Sequence, residues 1–70
     1  MPSSVIAAID YDLDHARLTV TFTSGQAYDY YAVPARVVSA FRRAESKGSF
    51  FNTQIRDRYP FRQVPQDVAA

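Results

Sequence analysis

Arg17-Leu18-Thr19-Val20-Thr21-Phe22-Thr23-Ser24-Gly25-Gln26-Ala27-Tyr28-Asp29-Tyr30 is the stretch on which the fold turns. Residues 17–23 alternate strictly. Leu18, Val20 and Phe22 fall on one side of an extended chain and Arg17, Thr19, Thr21 and Thr23 on the other, because successive side chains of a strand point to opposite faces. The β-branched residues suit a pleated, half-buried surface. Ser24-Gly25 then reverses the chain, glycine accepting φ > 0 without steric cost, and residues 27–31 return as a further strand.

Two registers are open for this hairpin. If Ser24 and Gly25 form the whole loop, Tyr28 lies opposite Thr21 and Tyr30 opposite Thr19, both rings on the polar face. If Thr23-Ser24-Gly25 form a three-residue loop with Gly25 left-handed, Tyr28 lies opposite Val20 and Tyr30 opposite Leu18. One residue of register flips both rings. The second choice keeps Asp29 off the apolar face, where an unpaired carboxylate costs several kcal/mol, and is favoured for that reason. It makes the tyrosines mainly core; the first would make them a solvent-facing aromatic platform.

On the N-terminal side, residues 5–11 also alternate, with Val5, Ala7, Ile9 and Tyr11 on one side and Ile6, Ala8 and Asp10 on the other. Leu13-Asp14-His15-Ala16 reads as a tight turn joining the first two strands. Beyond the hairpin, Val33-Pro34 changes the period from two to about 3.6. Val37, Phe41 and Ala44 follow at helical spacing, predicting a helix over residues 34–46 with Pro34 in its first turn. Gly48 is expected to end that helix in a left-handed conformation, and Ser49 to cap a second helix carrying Phe51 and Ile55 on one face. Pro60 stops it. Residues 61–64 have room for a short extended segment against the sheet, and residues 65–70 read as a frayed tail. The fold class is α+β: one domain over residues 4–64, a three-stranded antiparallel meander covered on one face by two helices.

A chain of 70 residues is near the size at which one core only just offsets the chain entropy lost on folding. Five Tyr and five Phe supply large buried area per residue, and there is no cysteine to form a disulfide. The absence of disulfides, of a signal-like N-terminus and of an apolar run longer than residues 5–9 predicts a cytoplasmic protein with no membrane association. Charge is unevenly spread. Residues 1–35 carry four aspartates against one arginine, and residues 36–70 carry seven cations against three acids. The second half therefore admits an anionic partner, although a solvated helical face has the same composition.

Catalytic chemistry finds few candidates. Asp10, Asp12 and Asp14 resemble the opening of a calcium loop, but His15 stands where glycine is needed and Thr21 where the closing bidentate carboxylate is needed, so no metal site is expected. His15 is the sole histidine, which excludes the common zinc patterns and leaves a nucleophile–base pair without support. No enzyme activity and no cofactor are expected. The remaining constellation is Ser46-Lys47-Gly48-Ser49-Phe50-Phe51-Asn52 with Ile55-Arg56, where a helix begins beside cationic side chains. An ordinary helix–helix corner accounts for the same residues.

The ordered set Ser4, Tyr11-Asp12, Leu18-x-Val20-x-Phe22, Gly25, Tyr28-x-Tyr30, Val33-Pro34, Ala44-x-Ser46-Lys47-Gly48-x-Phe50-Phe51-Asn52 and Ile55-Arg56 resembles the KTSC domain over about residues 4–59. That domain is named for its occurrence at the C-terminus of some lysyl-tRNA synthetases and also stands alone as a small bacterial protein. The resemblance implies a domain of unknown function with RNA binding suggested, and it brings no catalytic residue with it. Tyr28 and Tyr30 match the family's central pair. Asp29 between them departs from a phosphate-friendly strand face.

Together these readings predict a non-catalytic module binding RNA or another single-stranded nucleic acid. Lys47, Arg43 and Arg56 would meet phosphate, Asn52 would donate a positioning hydrogen bond, and Tyr28 or Tyr30 would stack on a base if exposed. The alternative is a protein-interaction module that docks a partner or itself through the open sheet face or an edge strand.

Overall fold

The computed structural model describes residues 5–65. Strands β1 (Ile6–Asp12), β2 (Arg17–Phe22), β3 (Ala27–Tyr30) and β4 (Phe61–Gln63) form one antiparallel sheet in the order β1-β2-β3-β4. Helices α1 (Ala35–Arg43) and α2 (Lys47–Phe50) lie between β3 and β4 in sequence, and α2 continues into a π-helical turn over Phe51–Ile55. The sheet has four strands rather than three. The extended segment expected after Pro60 pairs fully with β3, through Tyr28↔Gln63, Asp29↔Arg62 and Tyr30↔Phe61. The expected tail lies, from residue 66 onward, outside the described residues.

The β2–β3 hairpin takes the three-residue loop. Leu18 pairs with Tyr30 and Val20 with Tyr28. The Phe22 N–H donates to the Gln26 carbonyl at 2.8 Å, and Gly25 takes φ of 98°, a value that favours glycine. Asp29 consequently sits on the solvent face, where the Thr19 hydroxyl donates to its carboxylate.

In β1 the alternation breaks. Ile6 pairs with Phe22 but Ala8 pairs with Thr21, so a β-bulge at Ala7 shifts the phase. Ile6 thereby joins Ile9 and Tyr11 on the core face instead of opposing them, as strict alternation predicts. The physical reason is size: the bulge buries isoleucine and exposes two alanines. The core comprises Ile6, Leu18, Val20 and Tyr30 from the sheet, Val33 from the connection, and Val38, Phe41, Phe51 and Ile55 from the helices. The Tyr11 hydroxyl ties the connection down by donating to the Val33 carbonyl at 2.7 Å.

The helix boundary differs from expectation. Helix α1 ends at Arg43, and Ser46 rather than Ser49 caps α2, its hydroxyl accepting from the Ser49 N–H at 3.2 Å. An N-cap residue is extended, so Ser46 forces the break ahead of itself. Gly48 then lies inside α2, and left-handed backbone at this corner is not needed. A Cβ built on Gly48 would meet Val5 Cγ2 at 3.5 Å, ordinary van der Waals contact. Gly48→Ala is therefore expected to be neutral or to stabilise by up to about 1 kcal/mol, read as a raised urea midpoint. A loss of more than about 1 kcal/mol would restore the left-handed assignment.

The charge split in sequence becomes a split between layers. Asp10, Asp12 and Asp29 share the open face of the sheet with Arg17, Thr19 and Arg62, as their register positions require. The helical layer and the turn after it carry Arg36, Arg42, Arg43, Lys47, Arg56 and Arg58. No helix among the described residues is long and apolar enough to cross a membrane.

Candidate functional site

A groove of about 470 Å³ opens where the helical layer meets the β3–β4 side of the sheet. Volumes of this order hold small ligands or single side groups of larger ones. Its floor is a closed circuit of five aromatic rings. Phe51 meets Phe22 at 5.3 Å, Phe22 meets Tyr28 at 5.8 Å, Tyr28 meets Phe61 at 6.0 Å, Phe61 meets Tyr30 at 5.6 Å and Tyr30 returns to Phe51 at 5.5 Å. Four of these five contacts are edge-on, the arrangement that the ring quadrupoles prefer. Phe61, 56% exposed, and half-buried Tyr28 present their rings to solvent, whereas Tyr30 at 3% and Phe51 at 6% are anchors.

One wall of the groove is helical. Gly48, Asn52 and Arg56 recur every fourth residue and line it, with Asp57 beside them. The π-helical turn, closed by the Arg56 N–H donating to the Phe51 carbonyl at 2.9 Å, widens the helix here. Such turns concentrate at functional sites. Along it Phe51 and Ile55 are buried while Asn52 and Arg56 line the groove. Val5 and Gln26 complete the lining.

Burial is the main influence raising the Tyr30 hydroxyl above the ordinary tyrosine range; Tyr28 and Asp57 push the same way and Arg56 opposes them. These influences place the hydroxyl within electrostatic reach of the polar wall. The folded protein thus keeps a proton that the unfolded chain has lost, so this contribution to stability is intact below the unfolded tyrosine value near pH 10 and falls as pH rises above it. Tyr30→Phe is expected to flatten the alkaline limb of a stability–pH profile measured by urea unfolding; an unchanged limb would contradict that coupling.

The sequence-based site residues divide. Tyr28, Tyr30, Asn52 and Arg56 converge on the groove, but Lys47 and Arg43 do not line it. Lys47 lies with Arg42 beside residues 6–9 of β1, and its Nζ donates to the Ala44 carbonyl at 3.3 Å. Arg43 is exposed in the last turn of α1. Tyr30 is too deeply packed to serve as a stacking platform, and Tyr28 and Phe61 are the more exposed of the groove's rings. Sequence reasoning missed Phe61, Gln26 and Asp57; the extended segment after Pro60 was the signal for Phe61, once its partner strand is known.

The aspartate-rich turn is structurally self-contained. His15 Nδ1 and Asp12 Oδ2 lie 2.8 Å apart and Arg17 donates to the same oxygen at 3.1 Å. The hydrogen bond to His15 is the largest influence holding the Asp12 carboxyl below its usual range, with the charges of His15 and Arg17 adding to it. Among the described residues no group of three or more His, Cys, Asp or Glu side chains is placed to hold a metal ion.

A four-stranded meander with two helices on one face and an aromatic groove at their junction is the class of domain these residues define. The chain belongs to the KTSC domain family, whose pattern matches residues 2–59. It is similar to a KTSC domain protein of Yersinia pestis known from a crystal structure, with a TM-score of 0.83 and 36% identity over 93% of this chain and 92% of that one. It is also similar to an uncharacterized protein of Stutzerimonas stutzeri, 37% identical over 84% of this chain and 83% of the relative. A lysine–tRNA ligase of Nostoc punctiforme is 38% identical over 87% of this chain, and the chain spans 11% of that ligase's length.

Proposed function

We propose that this protein is a non-catalytic module for single-stranded RNA that takes an unpaired base into the aromatic groove. The observation carrying the reading is the convergence of Tyr28, Phe61, Asn52 and Arg56 on one groove. Single-stranded RNA is recognised by stacking splayed bases on aromatic rings and by hydrogen bonds to their edges, with cations on the backbone. Tyr28 and Phe61 supply the ring faces, Asn52 and Gln26 supply amides for a base edge, and Arg56 meets the phosphate. Asp57 repels phosphate on its own side and accepts hydrogen bonds from base amino groups, so the strand runs past Arg56 with its base turned inward. The presence of a similar segment within a lysine–tRNA ligase agrees with an RNA partner.

The protein-interaction reading has less support. The open sheet face carries three aspartates, and both edges are blunted: β1 by its bulge and by Arg42, which donates to the Ile9 carbonyl at 3.4 Å, and the three-residue β4 by Pro60 and Pro65 on either side.

Fluorescence anisotropy of a labelled octauridylate and octaadenylate at two salt concentrations tests the proposal. Binding that weakens as salt rises is expected, since phosphate contacts release counterions. No binding at low salt, or a concentration-dependent mass with no RNA affinity, would favour a protein partner instead.

A further inference from the structure

The second helix has another lined flank. Phe50 and Gln54 are two positions out of phase with Gly48 and Asn52, and so lie on another side of the helix, and Arg58 follows in the turn after it. With Arg36, Val37 and Ala40 of α1 and the ring of Tyr59 they enclose a cleft of about 380 Å³. Its charged lining residues are Arg36 and Arg58, and no carboxylate lines it. Among the described residues neither arginine forms an ion pair; the pairs present join Asp12 to His15 and Arg17.

Arg58 is also held in place. Its Nε donates to the Thr53 carbonyl at 3.1 Å, which fixes the guanidinium and leaves its terminal nitrogens uncommitted. Fixing a fork of donors in advance removes part of the ordering cost of binding. The first turn of α1, which contributes Arg36 and Val37, carries no acidic residue and no side-chain cap, so no carboxylate of that turn offsets the positive end of the helix dipole. Val37, Ala40 and half-buried Phe50 give the cleft an apolar floor that strengthens charge–charge attraction above it.

We propose that this cleft is a phosphate-binding site. Two unpaired guanidinium groups over an apolar floor match the bidentate, planar recognition that phosphate oxygens accept. The assignment does not depend on RNA entering the aromatic groove. The shared chemistry is a phosphate group, either free or in the backbone of a strand that passes from Arg56 to Arg58 across the connecting turn.

Side-chain NMR of the arginine Nε–H groups during titration with inorganic phosphate against chloride at matched ionic strength tests it. Saturable shifts at Arg36 and Arg58, abolished in Arg36→Gln plus Arg58→Gln, are expected. No saturable shift, or equal shifts at Arg42, Arg43 and Arg62, would overturn the site. Both arginines are exposed, so the double variant is expected to keep its fold. An octauridylate titration then separates the sources. A salt slope reduced by roughly 1 to 1.5 in the double variant assigns strand phosphates, and an unchanged slope alongside phosphate-induced shifts assigns free phosphate. A wild-type protein that shifts with phosphate yet ignores octauridylate would sink the groove reading and leave the cleft standing.

Discussion

Phe41→Ala is expected to lower the unfolding free energy by about 3–5 kcal/mol. The Phe41 ring is fully buried, stacked at 5.4 Å and 14° on Phe50 and 6.5 Å from Phe51, so it joins α1 to the helix that builds both lined flanks. A domain of this length has a total stability on the order of 4–10 kcal/mol, so the loss is about a third of it or more. Urea unfolding followed by far-ultraviolet circular dichroism measures it. Val37→Ala, at a half-buried position on the same helix, is the control and is expected to cost less than half as much. A Phe41→Ala penalty below about 1 kcal/mol would mean that α1 is not held to the second helix through this ring.

The largest functional effects are expected at Tyr28 and Arg56. Removing a stacking ring costs about 1–3 kcal/mol per base, so Tyr28→Ala should weaken octauridylate binding by roughly 5- to 150-fold with little change in salt slope. Arg56→Ala should weaken binding and also reduce the slope by about 0.7, because one phosphate contact disappears. Lys47→Ala, on the β1 side and away from the groove, should have the smaller effect. Anisotropy titrations of the three variants at several salt concentrations distinguish these patterns. Equal losses for Lys47→Ala and Arg56→Ala would return the interface to the helix corner and away from the groove. Because Tyr28 contributes to the aromatic circuit, Tyr28→Phe serves as the fold-preserving companion and is expected to retain stacking.

Much of this arrangement is legible in the residues, and the parts that are not have physical reasons. The hairpin register follows from Gly25 and from the cost of burying Asp29, two local constraints that agree. The phase of β1 does not, because Val5, Ile6, Ala7, Ala8 and Ile9 are all apolar and either alternation looks acceptable until competition for core volume selects Ile6. The break between helices is hard to place from sequence because Gly48 is a common helix terminator, whereas here the Ser46 hydroxyl sets the start of α2. A π-helical turn leaves no mark on a 3.6-residue period. The candidate site is half visible in sequence: Asn52 and Arg56 stand out for their chemistry and the tyrosine pair for its spacing. Their meeting depended on long-range packing, as did the arrival of Phe61 from a strand recognisable only as an extended segment. Lys47 and Arg43 stand close to them in sequence, but Lys47 turns toward β1 and Arg43 belongs to the preceding helix.

The central claim is that single-stranded RNA enters the aromatic groove. Backbone and side-chain NMR of the protein titrated with octauridylate tests it most directly. The expected result is perturbation centred on Tyr28, Asn52, Arg56 and Phe61, with Thr19, Asp29 and Arg62 on the open sheet face unmoved. Perturbation centred on that open face, or none at all at low salt, would contradict it.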